Sequence, residues 1–428
     1  MRLATLAALA VAFVGCDPSA STDPDLETAR PAPAAAYAGG GTDVLLQGFH
    51  WTSHRSDWWT VVKDRTPEIA GAGFTMVWLP PPSRSAAAEG YLPSEWRNLS
   101  SAYGTEAGLK SAIEALHGRG IKVLADVVVN HRVGTTGWAD FSNPAFADNR
   151  RAVTRDDEWG QGTGAYDTGD GFSAGRDLDH TNGSVQTQIK GWQGWLKNTV
   201  GFDGWRYDYV KGFSAGYVGD YNAASAPYFS VGEIWPDITG DYYASCAGAN
   251  YHRQKIVDWV DATGSRSAAF DFTTKWQLML AVERNEYWRM GCVPGTIGWW
   301  PAMSVTFVDN HDTGGSPGGG QDHWRFPDSK LEVGYAYVLT HPGTPTVYWP
   351  HYFDWGADLK GKIRSLVQVR KRQGIRSTSA VDVRVSEAGR YAAVVNGNTA
   401  VKIGPWAWSP GAGWALAASG TDWAVWTR

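Results

Sequence analysis

Three acidic residues stand where paired carboxyl chemistry is possible. Asp208, Glu233 and Asp312 each follow a short apolar run closely, in the segments GWRYD, SVGEIW and TFVDNHD. Two carboxyl groups that flank an acetal can cleave it, because one protonates the leaving oxygen while the other attacks the anomeric carbon. The pattern therefore predicts hydrolysis of an acetal bond.

Basic and imidazole side chains accompany these acids. Arg206 precedes Asp208 by two residues, so on a strand both side chains share a face, and the guanidinium is expected to keep Asp208 ionised. Anionic neighbours are expected to raise the pKa of Glu233 and keep it protonated as a general acid. His131 and His311, also at the ends of apolar runs, are expected to donate hydrogen bonds to ligand hydroxyls.

Each of these residues also has an ordinary structural interpretation. A single acid at the end of a strand is more often a helix cap or a solvated loop residue than a catalyst, and a lone histidine is usually structural. Three acids, one arginine and two histidines at corresponding strand ends are much harder to explain in that way. The combination favours a catalytic site.

Eight short apolar runs are expected to be the strands that position these residues. Between most of them the apolar residues recur with helical spacing, most clearly over 105–120 and 185–200. Strand and helix alternating eight times predict a parallel (β/α)8 barrel, the TIM barrel. A doubly wound open sheet is the alternative, but no glycine-rich nucleotide fingerprint follows the first strand. The runs begin near Asp43, Phe74, Lys122, Phe202, Phe229, Ala268, Met303 and Thr344.

The spacing of the runs predicts the domain organisation. The third and fourth runs are unusually far apart, and the excess is rich in glycine and aspartate, so 132–181 is expected to be an excursion domain. The barrel then comprises 42–131 and 182–374. Strand-like runs over 375–428 predict a small antiparallel β domain.

The N-terminal segment resembles an export signal. Residues 1–16 carry one basic residue and an apolar run too short to span a bilayer, and a Pro/Ala-rich tether covers 17–41. Cys16 is placed as in a bacterial lipoprotein signal, which predicts a lipid-anchored protein at the cell surface or outer membrane. Ordinary secretion is the alternative. Cys246 and Cys292 could pair after export, and the sequence does not decide this.

The amino-acid composition indicates which kinds of molecule the protein binds. The formal net charge of −5 argues against a nucleic acid, because phosphate binding requires clustered positive charge. The 24 tryptophans suit a protein that stacks on sugars, and the Cys and His spacing suggests no transition metal. A monomer is expected.

Four motifs together resemble a known family. GFDGWRYDYVKG, VGEIW, FVDNHDTG and DVVVNH are similar to the four signature regions of the α-amylase family of glycoside hydrolases (family 13). Plant-type α-amylases and bacterial maltotetraose-forming amylases are the most similar subgroups. The resemblance implies an α-1,4-glucan substrate and double displacement, with Asp208 as nucleophile, Glu233 as acid/base and Asp312 as transition-state stabiliser.

The resemblance also implies supporting residues. Asp126 would be a structural partner at the end of the third strand, Tyr91 would stack on the sugar being cleaved, and Trp235 would lie on the leaving-group side. Lys211 would contact sugars further along, or else be a solvated lysine. The implied sugar-binding residues are Arg206, His131, His311, Tyr91, Trp235, Lys211 and His50.

A bound Ca²⁺ is a further implication, since family members join the excursion domain to the barrel through this ion. Asn130, Asp177 and the Gly212 carbonyl match the family's ligands. Asp167 and Asp170 match a pair found in the maltotetraose-forming subgroup, although a solvated acidic loop is the alternative for these two. Hard oxygen ligands of these types are what Ca²⁺ prefers.

The sequence leaves the mode of action open. The segment 80–91 is short compared with maltotetraose-forming relatives, which favours an open groove and cleavage of internal bonds. An exo-acting, maltotetraose-forming enzyme is one alternative. A surface glucan-binding lipoprotein without catalysis is the other, although the intact acidic triad speaks against it.

Overall fold

Eight parallel strands form a closed barrel in the computed structural model, which describes residues 36–134, 139–238 and 247–428. Each strand pairs with its neighbours in chain order, and the last closes on the first. All eight predicted runs are barrel strands, so the (β/α)8 fold is confirmed. The strands are β1 Leu45–Gln47, β2 Met76–Leu79, β3 Lys122–Val127, β4 Gly204–Tyr207, β5 Phe229–Gly232, β6 Ala268–Phe270, β7 Ser304–Phe307 and β8 Thr344–Tyr348.

The helices between the strands follow the predicted periodicity. In α2, Thr105 caps the first turn by accepting a hydrogen bond from the Gly108 N–H, and Leu109, Ile113 and Leu116 are buried. Among the described residues, no helix is long and apolar enough to cross a membrane. The helices are α1 Trp58–Ala72, α2 Glu106–His117, α3 Gly183–Trp195, α4 Ala215–Ser225, α5 Asn250–Ala262, α6 Phe272–Arg284, α7 Thr296–Trp299, α8 Leu331–Thr340, α9 Trp349–Phe353 and α10 Ala357–Arg372.

The excursion after β3 is tied to the barrel by a short antiparallel pair. His131–Arg132 pairs with Arg176–Asp177, and His131 lies opposite Asp177. The buried Arg132 guanidinium donates to the carbonyls of Ser94, Ser142 and Pro144. The bond to Ser94 attaches the chain leaving β3 to the loop after β2, and the other two attach it to the excursion. The limits 132–181 stay a prediction.

The chain ends in a five-stranded antiparallel sheet. Its side chains reach the barrel helix α8 and the residue that follows it: the Trp423 indole N–H donates to Glu332 in α8, and the Tyr391 hydroxyl hydrogen-bonds to His341. The predicted C-terminal β domain is confirmed. In spatial order β9-β10-β11-β13-β12, the strands are β9 Val381–Glu387, β10 Arg390–Val395, β11 Thr399–Ile403, β12 Ala415–Gly420 and β13 Trp423–Thr427.

Several predictions fall wholly or partly outside the described residues. The export signal 1–16, with Cys16, lies there, as does most of the tether 17–41 and Cys246. Cys292 is disulfide-bonded.

Candidate active site

A cavity of about 410 Å³ opens at the carboxyl ends of the barrel strands. The three predicted catalytic acids line it together, although they come from three different strand ends. A TIM barrel brings such positions together because all its parallel strands end on one face. The lining residues are Trp51, Tyr91, Phe172, Asp208, Tyr209, Lys211, Glu233, Trp235, Asp237, His311, Asp312, Gln321 and His323.

A buried guanidinium organises the acids. Register places Asp126 on β3 beside Arg206 on β4, and Asp208 lies two residues further on the same face. Nη1 of Arg206 donates to Oδ1 of Asp126 at 2.9 Å and to Oδ1 of Asp208 at 2.8 Å. Nη2 lies 2.7 Å from Oε1 of Glu233. One cation therefore fixes three carboxyl groups.

Burial dominates the protonation of these acids. Burial raises the pKa of Asp208, and the Arg206 guanidinium opposes this shift in the direction that the sequence predicted. The pKa of Glu233 is raised as predicted, but chiefly by burial, with the Asp208 charge contributing. Burial and the Glu233 charge raise the pKa of Asp312 well above its usual range.

Proton sharing follows from the packing of the three acids. Asp208 and Asp312 both hydrogen-bond to Glu233, and ionised carboxylates can only accept. A proton must therefore be held within the group. The hydrogen bond with Glu233 lowers the pKa of Asp208, whereas burial and the Glu233 charge raise that of Asp312 well above its usual range, so Glu233 and Asp312 hold protons in preference to Asp208. The cluster thus offers an acid and a nucleophile side by side.

Flat rings form one wall of the cavity. Tyr91 is parallel to Trp51 at 6.2 Å and to His311 at 5.3 Å between ring centres. Its hydroxyl donates to Oδ2 of Asp126 at 2.9 Å and lies 2.7 Å from Nε2 of His311. Burial and the Arg206 charge lower the pKa of His311 well below its usual range, so its imidazole is neutral.

Two predicted histidines do not line the cavity. His131 is fully buried, its Nε2 bonds to the Tyr91 carbonyl oxygen at 2.7 Å, and its ring stacks on Phe172. It supports Tyr91 from behind, and its expected hydrogen bond to a ligand hydroxyl stays a prediction. His50 follows the end of β1, where strand alternation has stopped, and its ring packs edge-on against Trp58. The neighbouring Trp51 lines the cavity instead.

Trp235, Tyr209 and Lys211 also line the cavity. Trp235 stacks on Phe272 at 4.8 Å, which holds its indole against the cavity. Tyr209 adopts a left-handed backbone (φ 44°, ψ 49°), a strained conformation for a side chain of this size, directly after Asp208. Lys211 lies 3.8 Å from Asp170 and also lines the cavity.

Sequence reasoning missed several lining residues. Trp51 was adjacent to a predicted residue, and the excess of tryptophan could have pointed to it. The others lie in loops, where no periodicity indicates direction. They are Trp51, Phe172, Tyr209, Asp237, Gln321 and His323.

A second acidic cluster lies where the excursion meets the barrel. Carboxylate oxygens of Asp157, Glu158 and Asp177 lie within 4.8 Å of one another. The Asn130 amide hydrogen-bonds to Asp177, and the backbone of Gly212 runs so close that a Cβ there would lie 2.2 Å from Oδ1 of Asn130. Three of the predicted metal ligands are therefore brought together.

The two remaining predicted metal ligands, Asp167 and Asp170, differ in burial. Burial raises the pKa of Asp167 to about 6, and its Oδ2 is buried without a hydrogen-bond partner in the part of the chain that the structure describes. Asp170 is mostly exposed beside Lys211. Asp157 and Glu158 were not predicted, although the acidic run 156–158 was a signal for them.

Similarity to known proteins extends over most of the chain. A protein described as "Probable alpha-amylase 2" from Arabidopsis thaliana is 44% identical over 398 residues, which cover 91% of this chain and 94% of the relative. The chain belongs to the α-amylase family. Family models described as "Alpha amylase, catalytic domain" and "Alpha-amylase C-terminal beta-sheet domain" match 56–227 and 372–427 of this α-amylase family member.

Two further comparisons agree with the family and the fold. The "Glucan 1,4-alpha-maltotetraohydrolase" of Stutzerimonas stutzeri is 35% identical over 388 residues, covering 86% of this chain and 69% of the relative. The structure of an α-amylase from Malbranchea cinnamomea superposes with a TM-score of 0.64 at 19% identity, covering 86% of this chain and 85% of that one. The chain is a glycoside hydrolase of the α-amylase family, as the motifs predicted.

Proposed function

We propose that this protein hydrolyses internal α-1,4 bonds of starch-like glucans with retention of anomeric configuration. The observation that carries the proposal is the arrangement of Asp208, Glu233 and Asp312 around one cavity, with Arg206 beneath them. Stacked rings along the same cavity suit a chain of sugars.

The chemistry follows from the protonation of the acids. Asp208 attacks the anomeric carbon while Glu233 gives its proton to the leaving glycosidic oxygen, which forms a glycosyl ester on Asp208. Glu233, now ionised, takes a proton from water, and the resulting hydroxide displaces Asp208 from the anomeric carbon. The product keeps its configuration, Glu233 regains its proton and Asp208 its charge.

The surrounding residues stabilise this sequence of steps. Asp312 and His311 lie on the same loop after β7 and face the cavity, where they suit the hydroxyls of the sugar whose ring flattens at the transition state. Tyr91 supplies a flat surface beneath that sugar. His131 acts through Tyr91 by holding its carbonyl.

Calcium binding is proposed for the second acidic cluster. Carboxylate, amide and carbonyl oxygens form the hard donor set that Ca²⁺ takes, and the buried, unpartnered Oδ2 of Asp167 is available for an ion. Residues that would hold the ion are Asn130, Asp157, Glu158, Asp167, Asp177 and the Gly212 carbonyl. The ion would supply positive charge that joins the excursion to the end of β3 and the loop after β4.

Internal cleavage is distinguished from exo action by one experiment. Purified wild-type protein, Asp208→Asn and the exposed helical control Asp220→Asn are incubated with soluble starch while reducing ends and iodine colour are followed. We expect rapid loss of colour with few reducing ends from wild type and Asp220→Asn, and neither change from Asp208→Asn. Sugar release with persisting colour would favour the exo alternative, which the maltotetraose-forming relative motivates. No release from any variant would favour a non-catalytic glucan binder.

Export is part of the proposal. The apolar run over residues 1–16 supports secretion, with Cys16 as a site for lipid attachment at the cell surface. Mass spectrometry of the N-terminal peptide from cells that make the protein tests it: a lipid mass on Cys16 supports anchoring, and an unmodified, cleaved N-terminus supports ordinary secretion.

A further inference from the structure

We propose that Gln47 is a positioning residue that fixes which ring nitrogen of His311 carries the proton. Gln47 is the last residue of β1, is fully buried, and was not among the predicted site residues. Its amide Nε2 lies 2.9 Å from Nδ1 of His311. The tautomer of a histidine is set by the hydrogen bond that its other ring nitrogen makes.

The direction of every hydrogen bond in this network follows from Asp126. Nη1 of Arg206 and the indole Nε1 of Trp78 both point at its carboxylate, the latter at 3.1 Å from Oδ2. Neither nitrogen can accept a hydrogen bond. The oxygens of Asp126 therefore accept.

Tyr91 transmits this direction to the histidine. Its hydroxyl has one proton and lies 2.9 Å from Oδ2 of Asp126 and 2.7 Å from Nε2 of His311. Because the proton is directed to Asp126, the hydroxyl oxygen accepts from Nε2–H of His311. A neutral imidazole carries one proton, so Nδ1 has a lone pair and needs a donor. Gln47 supplies it through its amide N–H.

The opposite amide orientation does not fit this network. It would place Oε1 of Gln47 against the lone pair of Nδ1, two acceptors facing each other. The observed orientation leaves Oε1 buried with no hydrogen-bond partner among the described residues. In this orientation Oε1 of Gln47 stays unsatisfied while its amide N–H donates to Nδ1 of His311.

The result is a directed donor at the cavity. Nε2 of His311 lies 3.3 Å from Oδ2 of Asp312, so its N–H faces both Tyr91 and a proposed catalytic carboxyl. In the other tautomer a lone pair would face that carboxyl. Phe49 at 4.9 Å and Trp78 at 5.5 Å pack against the ring and hold its orientation.

The test compares two substitutions at Gln47 with a matched control. Gln47→Met removes the donor with little change in volume, and Gln47→Glu leaves only acceptors facing Nδ1 when the new carboxyl is ionised. Gln193→Met is the control, since Gln193 is also buried, donates to the Tyr207 hydroxyl at 2.8 Å and has an unpartnered Oε1, but does not contact His311.

The first readout is independent of activity. Full-length protein labelled with ¹⁵N-histidine is studied by NMR at pH 8, above the value of about 7 to which burial raises the pKa of Asp126. His311 is assigned by the signal lost in His311→Gln. We expect a protonated Nε2 and a bare Nδ1 in wild type and Gln193→Met, and a proton on Nδ1 in Gln47→Glu. A protonated Nδ1 with bare Nε2 in wild type would overturn the inference, and this measurement needs no variant at Gln47.

The second readout rests on the proposed function. Both Gln47 variants are expected to lose about 10- to 100-fold in kcat on starch, the loss known for removing the hydrogen-bond partner that orients a metal-binding histidine, with KM changed less. Gln193→Met should keep wild-type kcat. Wild-type kcat in Gln47→Met would count against the inference. If wild type itself hydrolyses no glucan, the proposed function fails, and the NMR result alone decides the role of Gln47.

Discussion

Two acidic clusters lie close together in this protein and neutralise their charge differently. The cleft cluster, which consists of Asp126, Asp208, Glu233 and Asp312, has a cation of its own, because Arg206 contacts the first three of these carboxyl groups. The second acidic cluster, Asp157, Glu158 and Asp177, is called the excursion cluster here. The charged neighbours that act most strongly on Asp177 are Asp167, Glu158 and Asp157, all of them acidic. Burial and these neighbours raise the pKa of Asp177 to about 8.

The difference explains what each cluster is suited to do. A built-in guanidinium stabilises negative charge permanently and leaves the acids free to exchange protons with a substrate. Asp177 is buried among like charges, and such a carboxylate is stable only when it is protonated or bound to a cation. The cleft is therefore suited to acid–base chemistry, and the excursion cluster to holding a metal ion.

The largest difference between the two clusters is expected in the effect of a substitution on kcat. Glu233→Gln removes the proton donor and should lower kcat by about 10²- to 10⁴-fold, the usual contribution of a general acid. Asp167→Asn removes one carboxylate from the other cluster and should keep kcat within a few-fold when Ca²⁺ is saturating. Initial rates on a chromogenic maltooligosaccharide measure both. Equal losses in the two variants would break the comparison.

Stability should distinguish two buried arginines. Arg206→Met leaves Asp126, Asp208 and Glu233 without their cation and should cost about 3–5 kcal/mol in the free energy of unfolding at pH 7. Arg370 is also buried, but it donates to the neutral carbonyls of Leu339, His341 and Gly343.

Arg370→Met is the control for this prediction. It should cost less than Arg206→Met, because the groups left behind carry no charge. Urea unfolding followed by tryptophan fluorescence measures both losses, and a larger loss for Arg370→Met would contradict the role given to Arg206.

Chelation should act on the excursion cluster alone. An ion present at about 100 times its Kd stabilises the folded state by about 2.7 kcal/mol, so EDTA should lower Tm by several degrees. Asp167→Asn should reduce that shift, whereas the exposed helical control Asp64→Asn should not. Scanning calorimetry with and without EDTA measures it. An unchanged wild-type Tm would rule out a stabilising calcium ion.

The smallest expected effect is a displaced pH profile. The reaction needs Asp208 ionised, so kcat/KM rises as pH increases through its pKa, and it needs Glu233 protonated, so kcat/KM falls through the second pKa. Burial raises both pKa values, so the bell-shaped pH profile of kcat/KM should lie at higher pH than it would for two solvent-exposed carboxyl groups. Asp167→Asn should keep both limbs.

Glu233→Gln tests the assignment of the alkaline limb. Its residual activity should lack that limb, because the group that titrates there is gone. Persistence of the limb would assign it to another residue.

The fold was predictable because local patterns repeat. Each barrel strand is a short apolar run buried on both faces, and α2 has its cap and apolar stripe within a dozen residues. The same alternation predicted that Arg206 on β4 and Asp208 just after it share a face, and the hydrogen bond between them confirms this. These features depend on neighbours in sequence, so the sequence expresses them directly.

The predicted cavity lining and the lining in the structure differ most where the chain leaves regular structure. His50 follows β1 into a loop and packs against Trp58, and His131 bonds to the Tyr91 carbonyl, a contact 40 residues distant in sequence. Asp157 and Glu158 approach Asp177 only through the folding of the excursion.

The sequence by itself determined the strand order, the caps, the acids at the strand ends and the family. Only the tertiary structure decided which side chains face the cavity, how burial shifts the pKa values of Asp208 and Glu233, and that Gln47 donates to His311. The physical reason is the distance along the sequence over which each interaction acts. Periodicity and capping act over a few residues, whereas desolvation and hydrogen-bond direction depend on groups that the closed barrel brings together from distant parts of the chain.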